Sequence, residues 1–180
     1  MRQFAVMLLL SATFLPAFSN AGSAQEVRSE RLLGGNENPP VISDGSGRFR
    51  AHFKGDLITF ELRYNVASAE SDVLQAHLHI ANPGNNGGIV VFLCSNIGNT
   101  PEGATQRDCP PSPGEVTGDI VAGDVQPVSE GEPPDEIVII EAGDLEGLER
   151  LIEQSSVYAN VHSDNHPGGE VRGQMNPRRR

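Results

Sequence analysis

Leu74-Gln75-Ala76-His77-Leu78-His79-Ile80 and, far downstream, Val157-Tyr158-Ala159-Asn160-Val161-His162 share one pattern. Side chains of a strand alternate between two faces. Leu74, Ala76, Leu78 and Ile80 then point one way, and Gln75, His77 and His79 the other. In the second stretch Val157, Ala159 and Val161 form the apolar side, opposite Tyr158, Asn160 and His162. If both apolar sides face one core, the three imidazoles share one outer surface.

The same period of two runs through most of the chain. Val27 to Leu33 reads as a first strand, broken by Gly34-Gly35-Asn36-Glu37-Asn38-Pro39-Pro40. Phe49, Ala51 and Phe53, then Ile58, Phe60, Leu62, Tyr64 and Val66, alternate with polar residues across a Gly55-Asp56 turn, which predicts a hairpin. Ile89-Val90-Val91-Phe92-Leu93-Cys94 is apolar throughout and is expected to be a central strand buried on both sides or to lie at a packed seam. Residues 95–115, rich in Pro, Gly and Asn, predict a surface excursion. Short strands are expected at Gly118–Val121 and Ile137–Ile140, around an acidic loop over Ser129–Asp135. Asp144 to Gln154 is the one helix candidate, capped by Asp144, with Leu145, Leu148, Leu151 and Ile152 on one face and Gly147 weakening it. A last hairpin joins Tyr158–His162 to Glu170–Met175. The expected fold is all-β, an antiparallel Greek-key sandwich or barrel with one short helix.

Residues 1–24 read as a signal peptide: Arg2, an apolar run from Phe4 to Phe18 too short to span a bilayer, and cleavage after Ala21 or Ala24. Residues 27–176 then form a single domain, and 177–180 a basic tail. No other long apolar run exists, so no membrane span is expected in the mature chain. The formal net charge is −11, with one lysine, Lys54. That balance disfavours nucleic acid, whose phosphates require a basic face. Cys94 and Cys109 are an even pair in an exported chain and are expected to form a disulfide; two free thiols are the alternative.

Three groups of residues together resemble the CHRD (chordin-type) domain of secreted proteins. They are Leu33-Gly34-Gly35-Asn36-Glu37-Asn38-Pro39-Pro40-Val41, Ala76-His77-Leu78-His79, and Tyr158-Ala159-Asn160-Val161-His162-Ser163 with Gly168-Gly169-Glu170-Val171-Arg172-Gly173-Gln174. The resemblance covers most of residues 30–176 and implies a secreted, β-rich binding domain with extracellular or periplasmic partners, protein or matrix. The growth-factor binding of chordin itself is not carried over, because this chain has none of its cysteine-rich modules. The His-x-His strand and a late histidine are also similar to the copper–zinc superoxide dismutase sandwich. That similarity implies a redox enzyme, but residues 80–161 hold no histidine where its bridging ligand and zinc set are expected.

His77, His79 and His162 carry the sharpest chemistry. Two histidines at i and i+2 on a strand reach one ion, and a third from a neighbouring strand completes a trigonal or open tetrahedral site for copper or zinc. His166 or Asp164 at the following turn is a candidate fourth ligand, and Asn160, Glu170 and Arg172 are candidates to orient the rings. Because neutral imidazole is the ligand, binding is expected to fade below about pH 6.5. The competing reading is a polar network in which the rings hydrogen-bond Glu170, Asn160 or main chain and fix strand register. Glu37 reads as a structural loop residue and His52 as a plain surface residue. Glu115 to Glu149 holds eleven acidic residues and no basic one. Calcium at Asp119, Asp124 or Asp135 is conceivable there, but no dense Asp/Asn/Gly loop occurs, and a solvated acidic surface is the simpler reading. No nucleophile elbow, phosphate loop or dinucleotide fingerprint appears. Three functions follow: a non-catalytic secreted binding domain, a histidine-based copper or zinc protein, or a dismutase-like enzyme.

Overall fold

The computed structural model describes residues 26–29, 31–66 and 72–177. The expected signal peptide and the arginines of the tail lie outside them. In chain order the strands are β1 (Glu26–Ser29), β2 (Leu32–Leu33), β3 (Ser46–Lys54), β4 (Leu57–Asn65), β5 (Val73–Ile80), β6 (Gly88–Ser95), β7 (Gly114–Ile120), β8 (Val128–Glu130) and β9 (Ile137–Ile140). Helix α1 (Leu145–Glu153) follows, then β10 (Val157–Ser163) and β11 (Val171–Pro177). Nine strands form one antiparallel sheet in the order β6-β5-β10-β11-β1-β3-β4-β7, with the short β2 bridging β11 and β3. Strands β8 and β9 form a separate hairpin. Sequential strands lie far apart in this order: the chain crosses from β4 to β5, and back from β6 to β7. The two end strands, β6 and β7, come into contact, so the sheet curls around one core. The Cys94–Cys109 disulfide ties β6 to the segment leading into β7 near this seam. The cysteines are 15 positions apart, and closing that loop stabilises the fold by about 3 kcal/mol in the chain-entropy picture.

Alternation decides what fills the core. Phe49, Ala51 and Phe53 of β3 and Ile58, Phe60 and Leu62 of β4 are buried, with Phe49 stacked on Phe60 at 5.9 Å. Leu78 and Ala76 of β5, Ala159 and Val161 of β10, and Val171 and Met175 of β11 close the other side. Helix α1 buries Leu148 and Ile152 and starts where Asp144 accepts from the Gly147 amide at 2.7 Å. Gly147 does more than weaken this helix: a Cβ there would lie 2.1 Å from the capping carboxylate, so the cap requires a glycine.

Three expectations need correction. Val27–Leu33 is two strands, 26–29 and 32–33, rather than one. Of the two places expected for β6, the structure gives the seam: it is an end strand that meets β7, and Val90 to Cys94 are buried. Its pairing with β5 shifts register twice and leaves Val90 and Leu93 without partners. These bulges re-aim side chains, which is why the run is apolar at successive positions. The cover comes from elsewhere: the Gln126 amide donates to Val90 O, and Val128 packs on Gly88. A third bulge, between His162 and Ser163, pairs Ser163 with Val73 and skips Leu74. Val73 therefore takes the buried place expected of Leu74. The acidic loop expected over Ser129–Asp135 is shorter, since Ser129 and Glu130 belong to β8. Asp124, in the wider acidic run, is buried and accepts from the Thr105 and Val121 amides, so it ties loops.

Candidate metal centre

The polar face of β5, β10 and β11 is not an outer surface. Three loops roof it: residues 34–40, the β5–β6 turn and the β10–β11 turn. The 34–40 loop is fastened to the β5–β6 turn by the Asn38 side chain donating to Gly84 O (2.9 Å) and the Asn86 side chain donating to Asn38 O (2.9 Å). The Asn36 side chain donates to Arg172 O on β11 (3.1 Å). Beneath this roof a second layer of buried side chains lies against the sheet, on the side away from the core.

Register places the members of this layer. Asn160 pairs with His77 and with Arg172, and Tyr158 pairs with His79. The His79 ring stacks on Tyr158 at 4.8 Å and 3°, and the Arg172 guanidinium lies 4.6 Å from the same ring. Because β5 and β11 flank β10, the imidazole and the guanidinium approach Tyr158 from opposite sides. Phe92 of β6 meets His77 edge to face at 4.6 Å. Phe92 reaches this layer only through the β6 bulges, so the linear pattern gives no sign of it.

Main-chain acceptors fix the tautomers. His162 Nδ1 lies 2.9 Å from Pro167 O, and His79 Nδ1 lies 3.0 Å from Gly87 O. A carbonyl only accepts, so both Nδ1 atoms carry the proton and both Nε2 atoms present lone pairs. His77 Nδ1 lies 3.3 Å from His162 Nε2 and therefore donates to it. That leaves a lone pair on His77 Nε2. Neither His77 Nε2 nor His79 Nε2 makes a hydrogen bond of good geometry, although the Asn160 amide lies beside His79. Gly87 can approach His79 this closely because it lacks a side chain; a Cβ there would overlap Ile80 O.

The three rings form one group, each offering a ligand atom within 4.8 Å of the others. They are 0 %, 9 % and 8 % exposed for His77, His79 and His162. Burial drives the His77 imidazolium down to about 2, with the charges that His162 and His79 would carry adding to the fall. Burial lowers His79 to about 4 against the Gly87 hydrogen bond, with His162 and Arg172 adding to the effect. His162 is also lowered by burial, against the hydrogen bond to Pro167. The His77 and His79 rings are thus neutral well below pH 6.5 in the folded chain, and His162 is shifted in the same direction.

The other candidates are placed differently. His166 and Asp164 stand outside the three-histidine group. Glu170 is buried at the loop edge, where its Oε1 accepts from Ser43 Oγ at 2.7 Å. Asn160 lies between His79 and Glu37, donating to Glu37 Oε1 at 3.2 Å. Arg172 is 4 % exposed and gathers the roof: Nε donates to Asn36 O, and Nη1 to Asn85 O (3.2 Å) and Asn86 Oδ1 (2.9 Å). Its carboxylate neighbour is Glu37, 3.9 Å away. Glu37 is therefore a member of the buried layer, packed under Gly169, where a Cβ would lie 2.9 Å from its carboxylate. Burial pushes its carboxyl up to about 7, against the Asn160 hydrogen bond and the Arg172 charge. His52 is half-buried on β3 and takes no part.

Neither the curated proteins nor the solved structures include a match to this chain. The CHRD domain family model matches residues 29–175, which cover β2 to β10, most of β11 and all three histidines. The chain belongs to the CHRD domain family and is a domain of the binding type.

Proposed function

We propose that the chain is an exported, non-catalytic binding domain and that its cargo is one late first-row transition-metal ion held by His77, His79 and His162. The observation that carries this reading is the cluster of three buried imidazoles in which Nδ1 of His79 and of His162 is pinned to a carbonyl, His77 Nδ1 donates to His162 Nε2, and Nε2 of His77 and of His79 makes no hydrogen bond of good geometry. Ligating histidines characteristically donate their other N–H to a carbonyl, which sets tautomer and ring orientation. Tetrahedral coordination at 2.0–2.1 Å separates nitrogens by about 3.4 Å. Tilting the rings closes the present spacing of up to 4.8 Å to that value. A cleft of about 390 Å³ opens from solvent onto Glu37 and Arg172 and gives a route towards the layer. Export is supported by the family, whose domains occur in secreted proteins, by the apolar leader and by the disulfide. Among the described residues no helix is long and apolar enough to cross a membrane.

Dismutase-like turnover fits this burial poorly, since a small-molecule substrate must reach the ion and His77 is fully covered. Titration calorimetry on dialysed protein with Zn(II), Cu(II) and anaerobic Cu(I) tests the reading. One ion is expected to bind per chain. The affinity is expected to fall at least 100-fold in His77→Ala and in His162→Ala, and to be unchanged in His52→Ala. Equal affinities in all three variants would remove the metal. The binding role would then pass to a protein or matrix partner at the loop end, where the cleft lies.

A further inference from the structure

We infer that the ion this pocket selects is monovalent copper, Cu(I), rather than Cu(II) or Zn(II); this rests on the metal-binding reading above. The first reason is charge. Every ligand in the group is a neutral imidazole, and no carboxylate or thiolate belongs to it. The bound ion therefore keeps its full charge in a site 0–9 % exposed. The cost of moving an ion into such a medium grows with the square of its charge, so a divalent ion pays about fourfold more than a monovalent one of similar size. The Arg172 guanidinium on the far side of Tyr158 adds like-charge repulsion that a divalent ion feels twice over.

The second reason is coordination number. Zn(II) in a three-histidine site completes its sphere with water, and Cu(II) seeks a tetragonal set of four or more. Here the walls beside the rings are Phe92 and Tyr158, with the neutral Asn160 amide beside His79. The candidate fourth ligands His166 and Asp164 lie outside the group. A filled-shell monovalent ion is satisfied by three nitrogens and needs no anion or water in this pocket. The same chemistry admits Ag(I), which undergoes no redox change in air and serves as a probe.

The test is an anaerobic competition between the folded chain and the colorimetric Cu(I) chelator bicinchoninate, with separate Zn(II) and Cu(II) titrations under matched buffer. Cu(I) is expected to bind one per chain at least 100-fold more tightly than either divalent ion. Ag(I) is expected to shift the imidazole 15N resonances of His77, His79 and His162 in the unmutated chain, with those of His52 unmoved. This second readout does not depend on a variant folding. Zn(II) or Cu(II) binding these histidines as tightly as Cu(I) would overturn the selectivity and leave the metal-binding function standing. No ion shifting these resonances or competing with the chelator would overturn both.

Discussion

Replacing Arg172 by methionine is expected to cost about 3–5 kcal/mol of folding stability, the range for removing one partner of a buried charge pair. The side chain is 4 % exposed and serves four partners at once: Asn36 O, Asn85 O, Asn86 Oδ1 and the face of Tyr158. Methionine fills the volume but donates nothing. It removes the donor shared by Asn36 O, Asn85 O and Asn86 Oδ1 and so unties the two loops, and it leaves Glu37 without its nearest cation. Lysine is not expected to rescue, because one ammonium cannot reproduce a planar fork aimed at two loops. Urea unfolding measures the loss. Amide exchange is expected to rise first at residues 34–40 and 82–87. A change below 1 kcal/mol, with those loops still protected, would show that the roof is held without this guanidinium.

The second large effect is acid unfolding driven by the histidine layer. His77 and His79 are depressed in the folded chain to about 2 and about 4, and His162 is lowered too. Unfolding returns each to about 6.5. Below pH 6.5 the unfolded state therefore binds more protons, and stability falls as pH falls towards the folded values. Glu37 acts in the opposite sense: its carboxyl is raised to about 7, so its contribution is complete below pH 4.5 and is lost as pH rises to 7. Near pH 5.5 His77 and His79 gain protons on unfolding while Glu37 loses one, and His162 shifts the balance in the same direction as the other rings. The net uptake is at least about one proton, equivalent to about 1.4 kcal/mol of stability lost per pH unit. Urea midpoints measured from pH 7 to pH 4.5 give this slope directly. His77→Gln is expected to reduce it by about one proton, and Glu37→Gln to steepen it by about one. A flat profile across this range would mean that the rings are already charged in the folded state. For the proposed metal site, binding is then expected to persist below pH 6.5, where a solvent-exposed histidine site would fade, until the fold itself is lost.

The strands were legible because alternation is a local property. The hairpin at Gly55-Asp56, the helix cap at Asp144 and the shared face of His77, His79 and His162 all follow from neighbours a few residues apart. Burial of that face was not legible, because it depends on loops 34–40 and 81–87 meeting over the sheet, and nothing within either strand encodes their arrival. Glu37 looked like a turn residue for the same reason: its partners Asn160 and Arg172 lie more than 120 residues away. Strand β6 was ambiguous for another reason. Two bulges interrupt its alternation, so consecutive residues are buried without following a period of two, and an apolar run of that length is also what a central strand presents. Arg172 and Asn160 were read as supports for the histidines; the structure makes Arg172 the tie of the roof and Asn160 the link between Glu37 and His79.

The most direct measurement is anomalous diffraction at the copper edge from crystals of the copper-loaded chain. The expected result is a single peak about 2.0–2.1 Å from one nitrogen of each of His77, His79 and His162, with the Gly87 and Pro167 carbonyls still accepting from Nδ1 of His79 and His162. Copper found only at other residues, with the His77–His162 hydrogen bond unchanged, would contradict the proposal and leave the buried rings as a register-fixing polar layer.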